Sequence, residues 1–284
     1  MAVEIVKPGL ETTVQDYPGR LGHLAAGFPP SGPIDHWSFR LANLLVGNDT
    51  GAPALECQFM GPSLLFRAPA VVAVTGADMA AMLDASPVEL WTSFAVAAGQ
   101  TLHLGAAKTG ARAYVAVAGG FVIEAFMASA STFRRAGVGG NRGRALAAGD
   151  VLRIGDGEGV PGRSVPDDRR PPITTAKECL IEVVAGPHDD WLDAPGRANF
   201  VNGPWTLSGK SDRTGFRPEG GPPISFSRSA TEKPPENGSD PSNIIDYGYP
   251  IGGINLCGQA PIVLVNDSLT MGGFICPYTN PQGG

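Results

Sequence analysis

Along most of the chain, apolar residues fall in short, β-branched runs closed off by glycine and proline, a pattern that predicts strands and turns and leaves little room for long helices. The runs at 63–67, 70–76, 101–105, 111–119 and 150–155 read as strands, and their spacing suggests a barrel or sandwich. One segment departs from this pattern. In FPPSGPIDHWSFRLANLLVGN, residues 28–48, Pro29, Pro30, Gly32 and Pro33 stiffen the entry to a short helix, and Ser31 or Asp35 is placed to accept hydrogen bonds from its first N–H groups. Gly47 supplies the stop. Trp37, Leu41, Leu44 and Leu45 follow i, i+4, i+7, i+8 spacing and predict the buried face, with His36, Arg40 and Asn43 on the polar one. That polar face is either simply solvated or one wall of a site.

Hydrophobic patterning stops at 155–172, where turn formers, charges and prolines take over. A second strand-rich block begins at 179–187 (CLIEVVAGP) and continues through GINLCG and APIVLVND, ending without an obvious closing strand. The reading is therefore all-β: a first domain over 1–160, a linker over 161–177, and a second domain over 178–284 that lacks its closing strands. The chain has 284 residues, 43% of them hydrophobic and 17% charged, which suits an ordered globular protein. A net charge of -6 with no Lys/Arg run argues against a nucleic-acid surface, which needs a basic footprint. No stretch approaches the eighteen apolar residues of a membrane span, and MAVEIVKPG is not a secretory signal, so a cytoplasmic protein is expected. Cys57, Cys179, Cys257 and Cys276 lie far apart and read as reduced, buried thiols.

Several motif fragments fail on their mechanics. Gly157, Gly159 and Gly162 fit G-x-G-x-x-G, but prolines and arginines follow where a dinucleotide fold needs a helix. Gly209, Lys210 and Ser211 resemble the end of a phosphate loop, yet Gly203 is one residue too far away and no helix opens after them. His23, His36, His103 and His188 show no i, i+4 pairing, so no metal centre is expected. Ser31 lacks the strand–elbow–helix setting of a hydrolase nucleophile.

Four separated segments, in order, carry a family pattern: GLETTVQDYPGRLGHLAAGFPPSGPIDHWSFRLANLLVGN, GGNRGRALAAGDVLRIG, SDRTGFR and PSNIIDYGYPIGGINLCGQAPIVLVND. Together they resemble the biotin-dependent carboxyltransferase family, the allophanate hydrolase subunit 2 type, over roughly Gly9 to Pro277, and they look closer to the carboxyltransferase part of urea carboxylase and urea amidolyase than to the C component of bacterial 5-oxoprolinase. The resemblance implies two cyclophilin-like β-barrels working beside a homologous second carboxyltransferase half. It implies transfer of a carboxyl group from carboxybiotin, held on a biotin carrier elsewhere, to urea or a related small amide. A separate biotin carboxylase would use the ATP, since this chain shows neither a biotinylation sequence nor a phosphate loop. The alternatives are a component of an ATP-dependent 5-oxoprolinase and a non-catalytic regulatory protein of the kinase-inhibitor type.

Such chemistry needs preorganised donors or a guanidinium where charge develops on the ureido oxygen, and a base for the poorly nucleophilic amide nitrogen. Within the matching segments Arg213, Asp246 and Asp35 are the catalytic candidates, and Asn243, Arg144, Glu56 and Asp267 the substrate-binding ones. Arg144 and Arg213 sit among glycines, where a guanidinium could fork onto a carboxylate or could lock two loops together. Asn243 and Asp246 could bind an amide or form an Asx turn, and Gln15 and Asp16 could cap a turn or meet the partner half. One departure stands out: where the family usually carries a basic residue between serines, this chain reads MASASTFRR, with Ala130 at that place.

Overall fold

The computed structural model describes residues 1–281. The chain divides into two compact units, Met1–Leu21 with Ser31–Lys177, and Gly22–Pro30 with the chain from Glu178 onward. The all-β, cyclophilin-like class holds in both, although the hydrogen-bonded strand paths are open ones rather than closed rings.

The strands of the first unit are β1 (Ala2–Lys7), β2 (Glu11–Gln15), β3 (Ala54–Gln58), β4 (Ser63–Phe66), β5 (Ala70–Asp78), β6 (Met82–Leu83), β7 (Ser86–Pro87), β8 (Ser93–Val96), β9 (Thr101–His103), β10 (Thr109–Val117) and β11 (Val151–Arg153). They form a six-stranded sheet, β11-β1-β4-β9-β6-β7, and a five-stranded sheet, β2-β3-β10-β5-β8. Every strand expected from 63–67, 70–76, 101–105, 111–119 and 150–155 is present, trimmed or extended by a residue or two. β10 explains why its sequence, ARAYVAVA, is apolar without alternation: both of its faces are covered. Ala113, Val115 and Val117 enter one core with Val3, Ile5, Leu64 and Phe66, while Tyr114 and Ala116 enter a second on the opposite face. Small residues, Ala54, Ala73 and Ala116, line that second face, and a helix can therefore lie close to the sheet.

That helix is α1 (His36–Leu45), capped by the Asp35 side chain, with Gly47 at φ 83° after its last turn. The buried face differs from the expected one. Phe39, Ala42 and Leu45 face the sheet and Asn43 is fully buried, whereas Trp37 is 49% and Leu44 50% exposed and Leu41 lies half-buried at the edge. The sequence offered two apolar stripes about 130° apart, and the smaller Phe39–Ala42 stripe won because it matches the alanine-lined sheet; Asn43 is buried because its amide donates to Ala52 O (3.0 Å) and accepts from Asn48 (2.9 Å). Part of the expected linker lies on this unit, where Val165 is buried and its N–H donates to Trp91 O (2.9 Å).

The second unit holds β12 (Val184–Ala185), α2 (Ala194–Asn202), β13 (Thr206–Leu207), β14 (Pro218–Glu219), α3 (Arg228–Thr231), β15 (Asn243–Gly248), β16 (Gly253–Cys257), β17 (Ala260–Val263) and β18 (Met271–Thr279). Its sheet runs β12-β18-β16-β17, with β15 also on β18. Leu192, Phe200, Ile224, Ile254, Leu256 and Ile275 make the core. Of the expected strand at 179–187 only Val184–Ala185 forms a ladder, continued by the Gly186 N–H donating to Pro277 O (2.8 Å), and Leu180 and Ile181 are exposed, because the register on β18 reaches its last residue, Thr279, at Val184. β18 itself, glycine-rich at one end and carrying Pro277, lacks the sequence signature of a strand yet pairs with β12, β15 and β16. The cysteines are all free; Cys57 and Cys276 are buried, Cys257 half-buried, and Cys179 is exposed rather than buried as expected. Burial pushes the Cys57 thiol up to about 12, which leaves it chemically inert.

The corrected helix face is open to a direct check. Phe39→Ala should destabilise by about 3–5 kcal/mol through the cavity it leaves, and Leu44→Ala by about 0.5 kcal/mol or less. Equal losses for the two in equilibrium urea unfolding would restore the other face.

Candidate active site

The turn before α1 is held from beneath by a buried polar network. Glu56 on β3 is 3% exposed, and its Oε2 accepts from the Ile34 N–H (2.8 Å) and from the Tyr114 hydroxyl (2.9 Å). Tyr114 OH accepts in turn from the Asp35 N–H (2.8 Å), and Arg112 Nε lies 3.5 Å from Glu56 Oε1. Gln15, fully buried, accepts from the Gly32 N–H (3.1 Å). Asp35 spends its carboxylate on Ser38, accepting from the N–H (2.9 Å) and from the hydroxyl. The structure thus joins two of the candidates, Asp35 and Glu56, in one scaffold. Tyr114, which the sequence reading passed over as part of an apolar strand, is the link between them. Burial, reinforced by the negative charges of Glu56 and Asp35, raises its phenol well above the ordinary range, so it stays protonated and donates.

Asp16, for which the sequence offered a turn cap or a contact with the partner half, organises a second network. Its carboxylate accepts from Ser129 Oγ (2.6 Å), from the Ala130 N–H (2.8 Å) and from the Ser131 hydroxyl. Arg20, 1% exposed, donates to Ser131 O (2.8 Å) and lies 5.3 Å from the Phe126 ring centroid. The MASAST departure is this loop: at Ala130 the backbone N–H makes the contact, and the side chain is buried.

The turn that follows, GVGGNRG, is crowded and left-handed. Gly139, Gly140, Arg142 and Gly143 sit at φ 68°, 51°, 60° and 67°. A Cβ on Gly139 would lie 2.0 Å from Ser131 O, so no other residue fits there. The turn borders an open cleft of about 510 Å³ whose apolar wall includes Val122, Phe126 and Val138. Arg144 does not serve this cleft as a free cation: it forks onto Asp150, both bonds 2.7 Å. That fork holds the Asp150 carboxyl below its usual range.

In the second unit Arg213 and Asp267 form a buried fork, Nε to Oδ2 at 2.8 Å and Nη2 to Oδ1 at 3.2 Å, each 5% exposed. Two residues assigned separate roles from sequence are therefore one ion pair, tying the 213–216 loop to the segment after β17. Asp246 lies on β15 with an exposed carboxylate that accepts no hydrogen bond among the described residues, and Asn243, on the same strand, offers its carbonyl to Lys233 Nζ (2.5 Å). Tyr249 folds back onto β18, where its hydroxyl donates to Phe274 O and accepts from Phe274 N, both 2.8 Å. Burial, with a smaller push from Cys276 and Asp246, raises its phenol. Beside it stand Asn255, 5% exposed, and an aromatic row in which the His188 and Tyr247 rings lie 4.9 Å apart, edge to face. Burial lowers His188, and its Nδ1 accepts from the Cys276 N–H (3.2 Å), so the ring stays neutral. Among the described residues no three His, Cys, Asp or Glu side chains converge as a metal site requires, and no helix is long and apolar enough to cross a membrane.

Two all-β units, each with polar residues pinned beneath its loops, define the class. The chain belongs to the carboxyltransferase domain family, subdomains A and B, whose model matches residues 26–282. It is 38% identical to the urea amidolyase of Saccharomyces cerevisiae across 99% of this chain and 16% of that protein. It is 35% identical to the C component of the 5-oxoprolinase of Escherichia coli, across 96% of this chain and 82% of that protein. The crystal structure of the Kluyveromyces lactis urea carboxylase superposes with a TM-score of 0.93 at 36% identity, covering 98% of this chain and 25% of that one. The chain thus spans a sixth to a quarter of the urea-processing relatives it matches.

Two outcomes test the scaffold. Tyr114→Phe removes the hydroxyl between Asp35 and Glu56 and strands buried partners, at a cost of about 1–3 kcal/mol in denaturant unfolding. For the Arg144–Asp150 fork the folded carboxyl lies below its unfolded value, so its contribution is present above the ordinary aspartate range and is lost as pH falls through the folded value. Arg144→Gln should therefore lower the melting temperature at pH 6 and have little effect at pH 2; an equal drop at both would show that the pair contributes only packing.

Proposed function

We propose that the chain is the carboxyltransferase component of a biotin-dependent carboxylase, moving the carboxyl group of carboxybiotin to a nitrogen of urea or a related amide. The observation that carries this reading is the likeness to the urea carboxylase fold over 98% of this chain. A homologous second carboxyltransferase half, a biotin carboxylase that consumes ATP and a biotin carrier would supply the remaining parts, fused or separate.

The donor set suits a biotin head. The cleft beside the glycine turn pairs the apolar side chains of Val122, Phe126 and Val138 with backbone N–H groups, as a bicyclic ring bearing a polar ureido group requires. Those residues would hold it, and the bound group would supply the carboxyl. The rest falls to the chain's own side chains. Asp246 is the proton acceptor for the amide nitrogen, because its carboxylate alone among the candidate acids is exposed and free of hydrogen bonds within the described residues. Arg213 acts by holding Asp267, and Arg144 by holding Asp150, so both position loops. Glu56 and Asp35 fix the turn ahead of α1. Asn243 aligns the start of β15, which carries Asp246.

A second reading has its own support: the likeness to the 5-oxoprolinase component extends over 82% of that protein. It would place the chain in an ATP-dependent ring-opening complex.

The deciding experiment is single-turnover carboxyl transfer to urea by the chain mixed with its homologous half and a carboxylated biotin carrier. Transfer is expected in the mixture and not with the chain alone. Asp246→Asn, melting like the parent, should slow it by about 100-fold. A parental rate in that variant would move the base elsewhere; ATP-dependent opening of 5-oxoproline without transfer to urea would install the second reading.

A further inference from the structure

The glycine turn keeps some of its backbone donors unspent. The N–H groups of Gly137, Val138, Gly140 and Gly143 donate within the loop, to Arg134 O (3.1 Å), Phe133 O (3.2 Å), Ala130 O (3.0 Å) and Gly139 O (2.7 Å). Those of Gly139, Asn141 and Arg142 donate to no acceptor among the described residues, and all three residues line the cleft. Asn141 lies between two left-handed pairs, Gly139–Gly140 and Arg142–Gly143, and such a change of hand along the backbone turns neighbouring N–H groups toward one side, as in an anion-binding concavity. Arg142 is a non-glycine residue held at φ 60°, a conformation that costs energy and persists where the surroundings enforce it. The crowding supplies that enforcement, since a Cβ on Gly143 would lie 1.9 Å from Gly137 C.

Charge around the cleft points the same way. Arg134 pairs with Glu11 (2.9 Å) and Arg144 with Asp150, so neither is available. Arg142 and Arg153 line the cleft, are exposed, and have no acidic partner among the described residues; Glu124 is the one acid in the lining. The balance is positive at the mouth of a partly apolar groove.

We infer that this turn is an oxyanion site that takes the carboxylate of an N-carboxylated ureido ring, and so distinguishes the carboxylated biotin head from the uncarboxylated one. The inference rests on the carboxyltransferase reading and narrows it: Gly139, Asn141 and Arg142 supply fixed N–H donors, the Arg142 guanidinium supplies charge, and Val122, Phe126 and Val138 accept the ring. Fixed donors need no reorganisation when the anion arrives, which makes them selective for charge over a neutral ring of the same shape. Once the carboxyl group has left, the neutral ureido ring loses its hold and is released.

The test reads the backbone amides directly. Amide ¹⁵N–¹H spectra of the whole chain would be recorded while adding (2-oxoimidazolidin-1-yl)acetate, whose methylene keeps the carboxylate from leaving, and separately neutral 2-imidazolidinone. The acetate should shift the Gly139, Asn141 and Arg142 amides and bind at least about tenfold more tightly than the neutral ring. Arg142→Gly, which keeps the left-handed backbone and all three N–H groups, should weaken the acetate by about tenfold, and Arg142→Lys should recover part of the loss. Equal shifts by both probes, or shifts confined to other residues, would overturn the assignment. Transfer to urea in the reconstituted complex with these amides silent would remove the site and leave the functional reading standing. Binding at these amides with no transfer would do the reverse.

Discussion

A buried carboxylate, that of Glu56, constrains the first unit more than any other single group. Removing it from water costs several kcal/mol unless partners replace the lost hydration. The replacements are spread over the chain: the Ile34 N–H from the turn, the Tyr114 hydroxyl from β10 and the Arg112 guanidinium from the same strand. Because Tyr114 also accepts from the Asp35 N–H, satisfying Glu56 places the residue that caps α1. The helix start, its cap and the five-stranded sheet are therefore set by one charge that tolerates only one arrangement of its neighbours. Such a network specifies geometry more than it adds stability, since a fully satisfied buried pair roughly offsets its own desolvation.

The same sheet shows which information the sequence carried and which it did not. In the first unit, strands were legible where runs such as AVVAVTG and ARAYVAVAG end at a glycine, because the local rule and the tertiary outcome agree there. The helix at 36–45 was equally plain, from its proline entry, Asp35 cap and Gly47 stop. Its orientation was not. Trp37, Leu41 and Leu44 form the larger apolar stripe, yet the stripe that fits is decided by what opposes it, and Ala54, Ala73 and Ala116 admit Phe39 and Ala42 at close range. Periodicity names the stripes; only the partner surface chooses between them. β18 escaped for the opposite reason. Its glycines and Pro277 argue against a strand locally, while three neighbours supply the pairing that overrides them.

Among the polar residues, sequence reading found the right segments and left the roles open. Arg213, Asp267, Arg144, Glu56 and Asp35 all lie in the segments that carry the family pattern, and each is committed to a partner inside the scaffold. A guanidinium between glycines looks the same in sequence whether it meets a substrate carboxylate or Asp150. What separates the two is whether an acid of the chain reaches it first, and that depends on contacts such as Arg213 to Asp267, 54 residues apart. Tyr114 and Ser129 were hidden by their company, one in an apolar strand and the other in a run of alanines and serines.

Once the committed groups are set aside, what remains facing outward is small and informative. In the second unit it is Asp246, beside an aromatic row whose histidine is held neutral by burial and fixed through Nδ1. In the first it is Arg142 with the unspent N–H groups of a turn too crowded to relax. An unspent acid and an unspent set of donors are the two kinds of group that acyl transfer between nitrogens demands, one to take a proton and the other to hold an anion. The two ion pairs are already satisfied: Asp150 keeps Arg144 off the glycine turn, and Asp267 keeps Arg213 inside its own loop. The scaffold's ion pairs thus act on the chemistry by removing competitors, leaving Arg142 and Asp246 among the charges that no oppositely charged side chain of the described residues neutralises.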